Sequence, residues 1–323
     1  MKVLLNGSVS RRGETILAER FGDRFSIALT DKDDAPDDRA AKFAEAEIIV
    51  STEYTQDMPS APAARLLHLP NSGLDAVDMA AVPDGCAVCN CYEHEVGISE
   101  YVMAGILDWT VGLAEFDGRF RGGAWDDSPR FSAPYRGELP GKVLASIGYG
   151  NIGRAVAARA RAFGMVVHAL TRSPRDFDPP PDWQGGMAKL DEMLPGADFV
   201  VVCCPLTDET RGMIDSRRLS LMKKTAILIN VCRGPVVDED ALYAACRDGT
   251  IGGAVIDVWY QYADPGGEVL RPTRHPLHDL SNVVMTPHLS GWTDGLMPRR
   301  FAVIGDNIER LLAGERLVHQ VHP

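Results

Sequence analysis

Along the first hundred residues the apolar positions come in short runs, at 3–5, 25–29, 48–50, 66–69 and 87–89, separated by polar stretches of helical length. That alternation predicts a small α/β unit. From Ile98 the period changes, with Ile98, Tyr101, Val102, Gly105, Ile106, Trp109 and Leu113 recurring at three- and four-residue spacings. A long amphipathic helix is expected there. Beyond a connection at 118–135 rich in Gly, Arg and Trp, a second series of apolar runs occupies 143–147, 166–170, 199–204, 226–231, 254–258 and 283–285. Near-continuous runs of this kind belong to parallel strands covered on both faces. Residues 98–289 are therefore read as a doubly wound domain. A last helix at 297–313 is expected to return to the first domain, which becomes discontinuous, 1–97 with 290–323.

Composition narrows the class. A chain of 323 residues with 45% hydrophobic and 24% charged residues is that of an ordinary globular protein of about two domains. The net charge of −12 argues against nucleic acid and anionic membrane surfaces as partners. No signal peptide or apolar stretch of about 20 residues is found, so a cytoplasmic protein is expected. The seven cysteines are an odd number and sit mostly in apolar runs, which predicts buried free thiols. Cys86, Cys89 and Cys91 lack a second ligand pair, and His275 and His278 belong to a loop motif, so no metal is expected.

The sharpest local chemistry is Gly148-Tyr149-Gly150-Asn151-Ile152-Gly153, which follows the run 143–147 and opens a stretch with helical spacing at Ile152, Val156, Ala160 and Phe163. Strand, tight turn and helix in that order make a pyrophosphate cradle: Gly148 permits the turn, Gly150 admits the anion and Gly153 lets helix and strand pack. The domain at 98–289 is thereby a dinucleotide-binding domain. About 20 residues on, an NAD-selective site carries an acid for the ribose 2′-hydroxyl. Here the sequence is Thr171-Arg172-Ser173-Pro174-Arg175, a hydroxyl-and-guanidinium set suited to a 2′-phosphate. NADP is the expected cofactor, with NAD as a possible second.

Three more segments follow apolar runs: Cys204-Pro205-Leu206-Thr207 through Thr210, then Asn230-Val231-Cys232-Arg233-Gly234, and Thr286-Pro287-His288. Residues just past the carboxyl ends of strands line the ligand crevice of an open α/β sheet, so Arg233 and His288 are expected to face the nicotinamide.

With these motifs in order, and with Glu209-Thr210-Arg211-Gly212, Val237-Asp238-Glu239, Asp257-Val258 and His275-Pro276-Leu277 at matching spacing, the chain resembles the D-isomer-specific 2-hydroxyacid dehydrogenases. The likeness covers most of residues 65–310 and implies two Rossmann-like domains, the smaller one flavodoxin-like and binding substrate. It further implies that Arg233 clamps the substrate carboxylate and carbonyl, and that His288 exchanges a proton with the carbonyl oxygen. Cofactor contacts are implied for Tyr149, Gly150, Asn151, Ile152, Thr171, Arg172, Ser173, Cys204, Pro205, Thr210, Val231, Cys232, Arg233, Asp257, His288 and Gly291, with Asp257 accepting from the carboxamide. Ser72 and Gly73 stand where the family's substrate loop offers backbone amides. The partner is then a small 2-keto or 2-hydroxy acid such as glyoxylate or hydroxypyruvate, and the helix from Ile98 with the Trp125 connection resembles the family's homodimer region.

The pattern breaks at one place. Most members hold the histidine with a glutamate, five residues after the aspartate that corresponds to Asp257; here that position is Tyr262. Gln261 is a neutral alternative next to it, and Asp264 and Glu268 follow in the same loop. Without a paired acid, His288 is expected to titrate nearer the ordinary value of ~6.5 than an acid-paired histidine would. Two other readings of this scaffold are a formate dehydrogenase-like enzyme, suggested by Gln261, and a non-catalytic dinucleotide-sensing protein.

Overall fold

The computed structural model describes residues 1–131, 135–263 and 271–322, and divides into two compact units, Met1–Glu93 with Thr293–Pro323 and His94–Trp292. The division falls a few residues outside the boundaries expected at 97/98 and 289/290.

In the first unit β1 (Lys2–Asn6), β2 (Ser26–Thr30), β3 (Ile48–Ser51), β4 (Leu66–His68) and β5 (Ala87–Cys89) form a parallel sheet in the order β5-β4-β3-β1-β2. That is the flavodoxin-like order. A last strand, Gln320–His322, pairs antiparallel with β5 and was not expected from the sequence. Side chains alternate across the sheet, so Val3, Leu5, Ile48 and Val50 join one apolar layer, with Phe301 and Ile304 of helix Leu296–Ala313, while Leu4, Ile49, Leu67 and Val88 join the other. The same helix carries Asn307, whose Nδ2 lies 3.0 Å from His68 Nε2 and donates to Val318 O at 2.8 Å. His68 Nδ1 is 3.2 Å from the Leu69 carbonyl, which can only accept, so the ring is neutral with its proton on Nδ1. Burial holds His68 down at about 4.

The second unit contains β6 (Val143–Ile147), β7 (Val166–Thr171), β8 (Trp183–Gly186), β9 (Phe199–Val202), β10 (Ile227–Asn230), β11 (Gly253–Ile256) and β12 (Val283–Met285). All neighbours are parallel, in the order β12-β11-β10-β9-β6-β7-β8. This is the doubly wound arrangement, and its strand order reverses between β6 and β9. Ala145, Ile147, Val200, Val202, Leu228 and Ile256 pack to one side; Leu144, Phe199, Val201, Ile229 and Val255 pack to the other. Both faces are thus covered, which explains why these strands read as continuous apolar runs.

The expected long helix ends earlier than its apolar spacing suggests. It spans Glu95–Val111 and stops at Gly112, whose left-handed backbone (φ +69) is an ordinary helix terminator. Leu113 then starts a second helix, Leu113–Arg121, and is 72% exposed, so it is not part of the buried stripe. Among the described residues, no helix is long and apolar enough to cross a membrane, and no cluster of His, Cys, Asp and Glu has the makings of a metal site. Cys86, Cys89 and Cys91 are buried in the first unit and form no disulfide among the described residues, and burial pushes Cys86 up to about 11 and Cys89 up to about 12.

Candidate active site

The turn after β6 is built by steric necessity. Gly148 has φ +103, and a Cβ there would lie 2.7 Å from the Cys203 carbonyl oxygen. A Cβ on Gly153 would meet Gly148 O at 2.3 Å and Ser146 Oγ at 2.8 Å, so only glycine lets helix Asn151–Ala162 start this close to the strand. Gly150 differs: it has extended backbone and none of the described residues within 4 Å of its absent side chain. That open space in front of a helix N-terminus fits a pyrophosphate. Around it Asn151 is exposed and Ile152 half-buried, while Tyr149 turns its ring into the core against Phe177, leaving only its backbone for a ligand.

At the end of β7, Thr171 is buried and its Oγ1 has no hydrogen-bond partner among the described residues. Arg172 and Ser173 are exposed beside it, and Arg175 lies over the Phe177 ring at 5.1 Å. An unpaired buried hydroxyl next to an exposed guanidinium is a ready acceptor–donor set for an adenosine ribose and its substituent. The residues present therefore fit a dinucleotide.

After β9, Cys204 is buried and Pro205 exposed. Thr210 closes this loop on itself, its hydroxyl donating to Pro205 O at 2.8 Å and accepting from Thr207 N at 2.7 Å. After β10, the buried Asn230 shapes the turn: its Oδ1 accepts from Cys232 N at 3.2 Å and its Nδ2 donates to Arg233 O at 3.0 Å. Val231 and Cys232 are buried, and burial keeps Cys232 a thiol with its pKa well above the ordinary value. Arg233 is half-buried and its guanidinium donates to Cys232 O at 2.7 Å. Gly234 then passes so close to the next loop that a Cβ would sit 2.4 Å from Trp259 O. This contact brings Arg233 beside the segment that carries Tyr262.

His288 lies in the loop after β12 with left-handed backbone (φ +58). Its ring stands 5.5 Å from that of Tyr262, tilted by 50°. The Tyr262 hydroxyl is 3.1 Å from Trp259 N and accepts its proton, so the phenol is tied to its own loop. The His288 pKa is lowered, first by desolvation of the ring although the residue as a whole reaches the surface, and further by the Arg233 charge; Asp257 pulls it the other way. Arg233 and Asp257 act on Tyr262 too. The structure thus brings Arg233, His288, Tyr262 and Asp257 together. His288 thus titrates below its ordinary value, because burial of the ring outweighs the upward pull of the Asp257 charge and the Arg233 charge adds to the lowering. Among the described residues no hydrogen bond joins Gln261 to His288, and Asp264 and Glu268 lie outside the described residues.

Asp257 is fully buried and already well supplied with donors: Thr286 Oγ1 at 2.6 Å, Leu289 N at 2.9 Å and Ser290 N at 2.9 Å. Its visible work is to hold the loop around His288. Gly291 packs on helix Glu95–Val111, where a Cβ would meet His94 and Ile98 at 3.3 and 3.4 Å. Ser72 and Gly73 belong to the first unit, where their carbonyls accept from Asn90 Nδ2 at 2.9 Å and Asn71 Nδ2 at 2.8 Å, leaving the turn's shape fixed by two amides. Sequence reasoning did not single out Asn230 or Thr286 for these roles. A polar residue ending an otherwise apolar strand was the available signal for Asn230.

Known proteins with these features give the scaffold its place. Residues 103–290 match the family described as D-isomer specific 2-hydroxyacid dehydrogenase, NAD binding domain. A glycerate dehydrogenase of Methylorubrum extorquens is 33% identical over 259 residues, covering 79% of this chain and 78% of that protein. A glyoxylate reductase of Thermococcus kodakarensis is 39% identical over 195 residues, 60% of this chain and 55% of its own length. Among solved structures, a D-isomer specific 2-hydroxyacid dehydrogenase family protein from Aeromonas salmonicida superposes with a TM-score of 0.82 at 25% identity, covering 99% of this chain and 98% of that one. This chain belongs to the D-isomer specific 2-hydroxyacid dehydrogenase family of NAD(P)-dependent oxidoreductases.

Proposed function

We propose that the protein works mainly as an NADPH-preferring reductase of small 2-keto acids, with glyoxylate and hydroxypyruvate as its simplest substrates. The observation that carries this reading is the meeting of Arg233 and His288 in one site, where the charge of the first bears on the titration of the second. A planar guanidinium grips a carboxylate with two parallel hydrogen bonds and reaches the adjoining carbonyl oxygen, polarising it. The protonated His288 imidazole gives its proton to that oxygen as it becomes a hydroxyl. A reduced nicotinamide held here would supply the hydride for that reduction.

Preference for NADPH rests on Thr171, Arg172 and Ser173: no carboxylate stands at 171–175 to repel a 2′-phosphate, and Arg172 is exposed. The glycine turn, with Tyr149 to Ile152, would take the pyrophosphate; Cys204, Pro205, Thr210, Val231, Cys232, Asp257, His288 and Gly291 would surround the remainder through side chain or backbone. The exposed Leu113, Phe120 and Trp125 are apolar surface that a second copy of the chain would cover, making a homodimer.

The deciding experiment is a panel of 2-keto acids, with formate in the oxidative direction, assayed with each cofactor. Turnover of glyoxylate or hydroxypyruvate with at least about tenfold higher kcat/KM for NADPH than NADH is expected, equivalent to about 1.4 kcal/mol. A clear preference for NADH overturns the cofactor reading. Formate oxidation without keto-acid reduction overturns the substrate reading, and NADPH binding with no turnover favours a sensing protein.

A further inference from the structure

The left-handed backbone of His288 is unusual for a residue with a side chain and persists only where its surroundings over-determine it. Thr286 and Asp257 supply that constraint. The Thr286 carbonyl accepts from His288 N at 3.0 Å and from Trp259 Nε1 at 2.8 Å, while the Asp257 carboxylate accepts from Leu289 N and Ser290 N. The histidine is therefore gripped on both sides along the chain.

The two grips are joined by one hydroxyl. Thr286 Oγ1 donates its single proton to Asp257 at 2.6 Å, so the Tyr101 hydroxyl, 2.7 Å away, must be the donor to Thr286. Burial and the nearby Asp257 charge raise the Tyr101 pKa, and the phenol keeps the proton it needs for this. The direction is fixed: Tyr101 to Thr286 to Asp257, with the last holding the loop after His288. Tyr101 comes from helix Glu95–Val111, which lends the loop a rigid anchor.

We propose that Tyr101 and Thr286 are positioning residues that act through Asp257 to hold the imidazole of His288 where it meets the substrate oxygen. This rests on the reading of His288 as the proton donor. Neither residue touches the reacting atoms, so their loss is read in kcat and in the motion of the loop.

Three variants test it: Thr286→Val, isosteric but without the hydroxyl, Thr286→Ser, which restores it, and Tyr101→Phe. For glyoxylate reduction Thr286→Val is expected to lower kcat about tenfold, as loss of one charge-assisted hydrogen bond implies. Thr286→Ser should stay within about twofold of the natural protein and Tyr101→Phe fall between them. Because Tyr101 acts only through Thr286, the double variant Tyr101→Phe/Thr286→Val should be no slower than Thr286→Val.

A second readout needs no turnover. Amide exchange at Leu289 and Ser290 should quicken about tenfold in Thr286→Val and stay unchanged in Thr286→Ser. Equal behaviour of the valine and serine variants in both readouts, or additive losses in the double variant, overturns the proposal. If Thr286→Val does not fold, Tyr101→Phe decides, since unchanged exchange at both amides also overturns it. Should the natural protein reduce no keto acid, the functional reading falls while the exchange experiment still judges the positioning chain.

Discussion

Gly150 separates the needs of folding from the needs of binding. A Cβ at this position would meet none of the described residues within 4 Å, and its φ of −81 lies outside the left-handed region that demands glycine. Gly150→Ala should therefore leave the free protein as stable as before or stabilise it by about 0.4–1 kcal/mol through the unfolded chain. Its methyl group, however, occupies the space where a pyrophosphate must approach the backbone amides at the start of helix Asn151–Ala162. Displacing the anion weakens several charge-assisted hydrogen bonds at once, each worth about 1.5–3 kcal/mol, so an NADPH Kd raised about ten- to a hundredfold is expected. Fluorescence titration gives the Kd and calorimetry gives the Tm of the same preparation. An unchanged Kd would remove the pyrophosphate from this loop, and a Tm lowered by many degrees would show that the position is not open. Gly153→Ala is the control: its Cβ must push against Gly148 O from 2.3 Å, so both quantities should worsen.

The remaining predictions concern charge. Since the His288 pKa lies below its ordinary value and reduction uses the imidazolium, kcat/KM for glyoxylate should already be falling as pH rises through the mid-sixes; a profile flat to pH 8 contradicts this. Arg233→Lys keeps the charge but loses the bidentate fork, and is expected to lower kcat/KM about a hundredfold with NADPH affinity little changed; retention of full activity would refute the clamp. In the first unit, His68 is fully buried and held at about 4, so the folded state binds fewer protons than the unfolded one between that value and the ordinary 6.5. Stability is present above pH 6.5 and lost as pH falls toward 4, by about 3 kcal/mol from this group alone. Denaturant titrations of the natural protein and His68→Asn across that range would measure it, and equal pH dependence of the two would exclude His68 as the cause.

What the sequence disclosed, and what it did not, follows from the range of the forces involved. The turn from Gly148 to Gly153 was legible because its demands are local: a strand, three glycines and a helix within a few residues of each other. The parallel sheet was legible for the same reason, each strand being an apolar run buried on both faces. Leu113 misled, since its spacing continues the helical stripe although Gly112 has already ended the helix. β8, with the sequence Trp183-Gln184-Gly185-Gly186, carries no apolar run and was missed. The chain from Tyr101 through Thr286 to Asp257 joins three segments far apart in sequence, and no spacing rule encodes it. Tyr262 was correctly seen to lack a carboxylate, but only the fold shows its ring beside His288 and its hydroxyl held by Trp259 N.

The central claim is that one keto oxygen is met by both Arg233 and His288. A crystal structure with NADPH and oxamate, an unreactive likeness of a 2-keto acid, tests it most directly. The guanidinium should hold the oxamate carboxylate in a two-point clasp, and an imidazole nitrogen should stand about 2.6–3.2 Å from the amide oxygen that mimics the ketone. Oxamate bound away from the nicotinamide, or a His288 ring turned from it with Arg233 elsewhere, would contradict the account.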